Sequence, residues 1–123
     1  MSIKVSIDAS GGDFGFPVTI NAGINALISF SDLHINFVGD EKGIKEELEK
    51  KSIHKSFLDR IEITHASEVI NMKDSPSTAL RHKKDSSMRV AINLVQSGIS
   101  DACVSAGNTG ALMSIARFVL KTI

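Results

Sequence analysis

The chain opens on alternation. Ile3, Val5 and Ile7 alternate with Lys4 and Ser6, the period of a half-buried strand, and their branched side chains suit a pleated surface. The pattern breaks at "DASGGDFGFP", where Pro17 stands in the first turn of a predicted helix. Ile20, Ile24, Leu27 and Ile28 then form a helical stripe. "LHINFVG" (33–39) alternates again and predicts a second strand, and "RIEITHA" (60–66) a third. Between them, "DEKGIKEELEKK" (40–51) predicts a charged surface helix. Asp40 or Glu41 lies at its electropositive end and lysines lie at the other.

The polar segment 67–87 contains Pro76, which predicts the start of a short helix. Asp85 or Ser86 then caps a further helix with Met88, Ala91, Ile92 and Val95 inward, and Gly98 ends it. Ala102–Ser105 predict a fourth strand, and Leu112, Ile115, Ala116 and Val119 a last helix. Met72, Met88 and Met113 read as packing residues. Strands that alternate with helices imply parallel pairing with helices on both faces. The expected class is therefore α/β.

Composition narrows the function. With 42% hydrophobic and 23% charged residues, the 123-residue chain has the balance of one globular domain. Lys plus Arg equals Asp plus Glu at 14 each, so no overall charge points to nucleic acid. Trp and Tyr are absent, which removes the usual stacking platforms for single strands. The single cysteine, Cys103, excludes an intrachain disulfide and a cysteine metal cluster, and suits a reducing cytoplasm. His34, His54, His65 and His82 are scattered without metal-ligand spacing, which gives no sign of a metal site; no cofactor is expected. The N-terminus has no signal-type apolar core, and no apolar run is long enough for a membrane span.

In an open parallel sheet, ligands bind beyond the carboxyl ends of the strands. Three segments there carry unusual residues. "DASGGDFGF" (8–16) sets Asp8 and Asp13 among Gly11, Gly12 and Gly15, which is either a glycine-rich turn or a backbone opened to a ligand. No G-x-G-x-x-G can be read in it. "SAGNTG" (105–110) leads into a helix N-terminus, where unpaired amides and the helix dipole favour an anion. Asn108 or Thr109 alone would suffice as a cap, yet Gly107 and Gly110 flank them. "RHKKDSSMR" (81–89) places four fixed cations beside Ser86 and Ser87. It is either a solvated face or a segment in which Lys83 or Lys84 meets a phosphate or an acidic partner. Cys103, in a predicted strand core, reads as an inert buried thiol.

Five stretches in order, "DASGGDFGFP", "VGD" (38–40), "HASEVI" (65–70), "KKDSSM" (83–88) and "DACVSAGNTGALM" (101–113), resemble the bacterial phosphate acyltransferases of phospholipid synthesis. The match covers the N-terminal portion of such a chain, and Ser10 stands where the family usually has Met. The resemblance implies a three-layer α/β/α fold with a mainly parallel sheet, Rossmann-like and of the isopropylmalate dehydrogenase and phosphotransacetylase type. Residues 1–123 would form part of that domain. It implies transfer of a long-chain fatty acyl group from acyl carrier protein to inorganic phosphate. It further implies a homodimer, no metal, a cytoplasmic location and peripheral association with the membrane.

For that reaction Asn108, Lys84 and Asp8 are the expected catalytic residues. Ser105, Asn108, Thr109 and the Gly107 and Gly110 amides would bind phosphate. Lys84, Ser86 and Ser87 would position phosphate or the thioester oxygen. Asp8, Gly11, Gly12 and Asp13 would form the facing wall, with an aspartate orienting a lysine or accepting a proton. The competing readings are a short-chain transferase using acyl-coenzyme A, a dehydrogenase of the isopropylmalate type, and a non-catalytic phosphate- or carrier-binding module.

Overall fold

The computed structural model describes residues 2–13 and 15–121. Its elements are β1 (Ile3–Asp8), α1 (Phe16–Ser29), β2 (Leu33–Gly39), α2 (Glu41–Lys50), α3 (Lys55–Leu58), β3 (Ile61–His65), α4 (Pro76–His82), α5 (Ser87–Gln96), β4 (Ala102–Val104) and α6 (Thr109–Leu120). The four strands form one sheet in the order β3-β2-β1-β4, with every pairing parallel. The expected α/β class with a parallel sheet is the observed one.

Strand alternation sends successive side chains to opposite faces, and each face meets its own helices. Ile35 and Phe37 of β2 pack with Ile20 and Leu27 of α1 and with Ile44 and Leu48 of α2. Val38 turns the other way, onto Ala91 of α5. Beyond it Met88, Ile92, Ala111 and Ile115 join α5 to α6, with Ala79 of α4. The sheet is thus the middle of three layers. Side-chain oxygens define most helix starts: Asp40 accepts from Gly43 N, Ser75 from Thr78 N, Ser86 from Arg89 N and Asn108 from Ala111 N. Arg60 fastens the end of α1 to the start of β2, donating to the carbonyls of Leu27, Phe30 and Leu33 at 2.8–2.9 Å.

Several local expectations need correction. The short helix α3 has no counterpart in the periodicity, because one turn is too brief to show a repeat; His54 caps it by accepting from Ser56 N. Ile28 is 61% exposed, since α1 turns Thr19, Ile20, Gly23 and Leu27 inward and position 28 lies a further 100° round the helix. β4 ends at Val104, so Ser105 belongs to the following loop. Cys103 is only partly buried, because β4 is an edge strand. Val95 is likewise only partly buried. Met88 is in the core, but Met72 and Met113 are exposed.

Gly23 of α1 lies flat on the sheet. A Cβ there would stand 2.6 Å from Phe37 Cζ and 2.7 Å from its Cε1, in a ring with no exposure. Alanine normally stabilises a helix interior by about 1 kcal/mol over glycine. Here overpacking of about 1–3 kcal/mol outweighs that gain. Gly23→Ala should therefore lower the urea midpoint of unfolding; an unchanged or raised midpoint would show that Phe37 can move aside.

Candidate functional site

The sheet order changes direction between β1 and β4: the chain builds from β1 towards β3 and then returns to the other side of β1. The loops after β1 and β4 therefore leave the sheet side by side, at the topological switch point where open parallel sheets take ligands.

Asp8 ends β1 with 2% exposure. Its Oδ1 accepts a hydrogen bond from Ser87 Oγ at 2.5 Å, and its Oδ2 accepts one from Ser105 Oγ at 2.8 Å. Ser87 is the first residue of α5 and Ser105 the first after β4. One carboxylate therefore joins β1, α5 and the β4 loop, and it lies at the electropositive end of a helix. Ser105 Oγ also accepts from Gly107 N at 3.1 Å, which folds the "SAGNTG" loop back over the carboxylate.

The glycines let these loops touch. A Cβ on Gly11 would lie 2.7 Å from Asp8 Oδ2 and 3.1 Å from Gly107 N. A Cβ on Gly107 would meet Met88 Cε at 3.0 Å and Ser105 Oγ at 3.2 Å, with Gly11 Cα at 3.6 Å. Gly12 has φ +89° and packs on Ala106, a conformation costly for any residue with a side chain. Gly11, Gly12 and Gly107, three of the nine glycines in the sequence, thus lie where the two loops meet.

Asn108 is buried and fully engaged. Its Oδ1 caps α6 by accepting from Ala111 N at 3.1 Å. Its Nδ2 donates to the carbonyls of Asn71, Met72 and Asp74 at 3.2, 3.3 and 2.7 Å. Asn108 therefore pins the 71–74 turn against the start of α6. Lys83 holds the same turn, donating to Val69 O at 2.9 Å and to Asp74 Oδ2 at 2.5 Å. Ser86 is buried and accepts from Arg89 N at 3.0 Å as the cap of α5.

What remains open is the first turn of α6. Thr109 and Gly110 are exposed, and their amides, the first two of the helix, have no partner among the described residues. Lys84 is exposed, with no hydrogen bond or ion pair among the described residues, and Asp13 is exposed in the β1 loop. The structure thus brings Asp8, Gly11, Gly12, Ser87, Ser105 and Gly107 into one cluster, with Asn108, Thr109 and Gly110 beside it. Ser86 supports the cluster through α5, and Lys84 precedes that cap on the same loop.

Two residues that composition did not single out complete the assembly. Ser67 donates from N and Oγ to Asp85 Oδ2 at 2.9 and 2.5 Å, and Glu68 O accepts from Ser87 N at 3.0 Å. The segment after β3 thereby lies alongside the start of α5. The sequence signals this only through the place of "HASEVI" among the five stretches that carry the resemblance, since its residue types have no pattern that predicts the contact.

The electrostatics follow these contacts. The hydrogen bond from Lys83 holds the Asp74 carboxyl below its ordinary range, and those from Ser67 do the same for Asp85. Burial pushes the Cys103 thiol up, with the Asp8 charge adding to it, which disfavours a reactive thiolate. No group of three or more His, Cys, Asp or Glu among the described residues is arranged to hold a metal ion. No described helix is long and apolar enough to cross a membrane.

Comparison with known proteins adds to this geometry. A family model described as fatty acid synthesis protein matches residues 3–123. Phosphate acyltransferases of Ruthia magnifica, Vesicomyosocius okutanii and Hydrogenovibrio crunogenus are 65%, 64% and 51% identical over all of this chain. The chain spans 36% of the length of each of these curated relatives.

The latch at Asn108 separates into two parts. Asn108→Asp retains an acceptor for the α6 cap but cannot donate to the 71–74 carbonyls, whereas Asn108→Ala loses both functions. Hydrogen exchange should show the turn released in both variants and the first turn of α6 loosened only in the alanine variant. The alanine variant should also lose about 2–4 kcal/mol of stability. Equal protection of the turn in wild type and Asn108→Asp would overturn the latch.

Asp74 and Asp85 also predict the acid response. Their folded-state pKa values lie below the ordinary ones, so the stability they supply is complete above the ordinary carboxylate range. It is lost as pH falls through the lowered values, below about pH 4. Hydrogen exchange between pH 5 and 3 (about one unit either side of that range) should show segments 67–68 and 71–74 opening before the sheet. Simultaneous opening would refute this order.

Proposed function

Since this chain belongs to the fatty acid synthesis protein family, we propose that it forms the phosphate-binding part of an acyltransferase. The enzyme moves a long-chain fatty acyl group from acyl carrier protein to inorganic phosphate for phospholipid synthesis. The observation that carries the reading is the open first turn of α6 at the switch point, beside the Asp8 cluster, in a chain whose relatives are named phosphate acyltransferases.

A phosphate oxygen attacks the thioester carbonyl carbon, a C–O bond forms, and the resulting tetrahedral oxyanion expels the carrier thiolate, which then takes up a proton. Phosphate is already an anion at neutral pH, so no serine or cysteine nucleophile is needed. The protein's task is to hold the anion beside the carbonyl and to stabilise charge that develops in the transition state. In this scheme the Thr109 and Gly110 amides and the Thr109 hydroxyl bind phosphate at the helix N-terminus. Lys84 swings onto phosphate or the thioester oxygen, and Asp13 lies on the facing wall. Asp8 acts as a positioning residue: by taking both serine hydroxyls, it fixes the loops that present those amides. Asn108 does the same through its cap and its hold on the 71–74 turn. The exposed Arg81, His82 and Lys84 offer an acidic carrier protein a cationic approach. The complete enzyme works as a homodimer in the cytoplasm, at the inner face of the membrane that uses its product.

The decisive assay is phosphate-dependent release of carrier thiol from a long-chain acyl carrier protein, run on this chain and on a complete version that includes the remainder of a relative. Release that requires both phosphate and the carrier thioester supports the proposal. Acyl-coenzyme A as the only accepted donor would favour the short-chain reading, and no release by the complete version would overturn acyl transfer. In an active version, Lys84→Ala should lower turnover by about 10²-fold if the ammonium meets transition-state charge. A change of only a few-fold would remove Lys84 from the chemistry.

A further inference from the structure

The face of the sheet that carries α1 is covered only in part. Ile3, Val5 and Ile7 point to that face, as do Ile35 and Phe37, but α1 and α2 pack over β2 and leave the strip above β1 and β4 open. A groove of about 560 Å³ runs between α1 and β4. It extends along the whole of β1, from Ile3 and Asp32 at one mouth to Asp8 and Ala106 at the other. Val18, Phe30 and Val104 line it and are 53%, 59% and 56% exposed. The opposite face of the same strands is closed by α5.

We propose that this groove is the seat of an amphipathic helix from the part of phosphate acyltransferase that this chain does not span, carried on the same polypeptide or on a separate one. Parallel sheets are stable only with both faces covered, because their strands are apolar on both sides. Here the bare strip lies in mid-sheet, over β1 itself. The matched relatives supply the missing material: this chain accounts for 36% of their length. The groove follows a six-residue strand, about 20 Å long, which a helix of about 13 residues would span. Ala22 and Ala26, one turn apart on α1, leave room for close helix packing. Apart from Asp32 at one mouth, the polar groups in its wall offer little to a polar ligand. Thr19 Oγ1 already donates to Ala9 O at 2.8 Å, and both oxygens of Asp8 are engaged on the other side.

The inference rests on family membership and not on the acyl-transfer reading, and it has a consequence for the site. The groove ends at Asp8 and Ala106, directly behind the β1 and β4 loops. A helix seated there would close the back of the loop cluster and hold Ala106 against Gly12.

Thiol labelling tests this. With Cys103→Ala removing the native thiol, Val18→Cys, Val104→Cys and a remote control, Lys50→Cys, are introduced singly. Each is placed in the 123-residue chain and in a chimera that continues into the remainder of the Ruthia magnifica enzyme. Maleimide should label both groove cysteines at least about 10-fold more slowly in the chimera, while Lys50→Cys reacts equally in both. Equal groove rates, or a chimera without cooperative unfolding, would overturn the proposal. So would slowing that appears only when a long-chain acyl phosphate is added, since the groove would then be a lipid channel. Slowing in the short chain as its concentration rises would instead assign the groove to a second copy. As an independent check, Val18→Asp with Val104→Asp should leave the short chain's unfolding midpoint unchanged and lower the chimera's. Equal midpoints in the substituted and unsubstituted chimeras would refute the seat.

Discussion

The arrangement depends on one buried carboxylate. Asp8, at the end of the central strand β1, accepts hydrogen bonds from the hydroxyls of Ser87 and Ser105, residues 79 and 97 positions away along the chain. A carboxylate removed from water without partners would be strongly destabilising. With two hydroxyl donors and the N-terminus of α5 beside it, the charge is accommodated and the three segments are held in register. Removing either serine would leave the carboxylate short of a donor, so the cluster is maintained as a unit. The same anchor fixes where the β4 loop can run, and therefore where α6 begins.

Once the carboxylate is in place, the glycines follow. The loops from β1 and β4 meet beside it: a Cβ on Gly11 would collide with the Asp8 carboxylate at 2.7 Å, and one on Gly107 would press on the Met88 methyl group and Ser105 Oγ. A run of small residues before a helix has two physical origins that look alike in a sequence: a backbone approached by a ligand, or a backbone approached by another backbone. Gly11, close to Gly107 N, and Gly12, close to Ala106 O, belong to the second kind, whereas Gly107 makes room chiefly for the Met88 side chain. Gly110 differs, because its exposed amide lies in the first turn of α6, although a Cβ there would lie 3.1 Å from Pro76 Cγ.

These distinctions mark how far the sequence could be read. The four strands, the long helices and their order were legible because each has a strong period or a start signal, as with Pro17 at the head of α1 or Ser86 before α5. The single-turn α3 was not legible, since four residues cannot express a repeat. The exposure of Met72 and Met113 was hidden for another reason: apolar character reports burial only when the neighbouring elements are known. At the candidate site, the segments that residue types single out do meet at one end of the sheet. Their separate duties were not legible, because these depend on contacts across 34 to 97 positions, such as Asn108 with Asp74 or Ser105 with Asp8. No local pattern encodes contacts at that range.

The charge arrangement also bears on the proposed chemistry. A phosphate bound at α6 would sit near a site already holding the negative charge of Asp8. Because that charge is met by Ser87, Ser105 and the end of α5, the first amides of α6 remain for a second anion. Strong binding of ground-state phosphate would not by itself speed transfer, since only interactions that tighten in the transition state do so. In the proposed scheme, helix amides next to a loop anchored by a buried carboxylate, with the opposite charge on the exposed Lys84 side chain, would fit that requirement. The fixed part would set position, and the lysine would close on charge as it forms. That rigidity would in turn depend on what backs the β1 and β4 loops, so the proposed chemistry at one end of the strands would be tied to the covering of the sheet along their length.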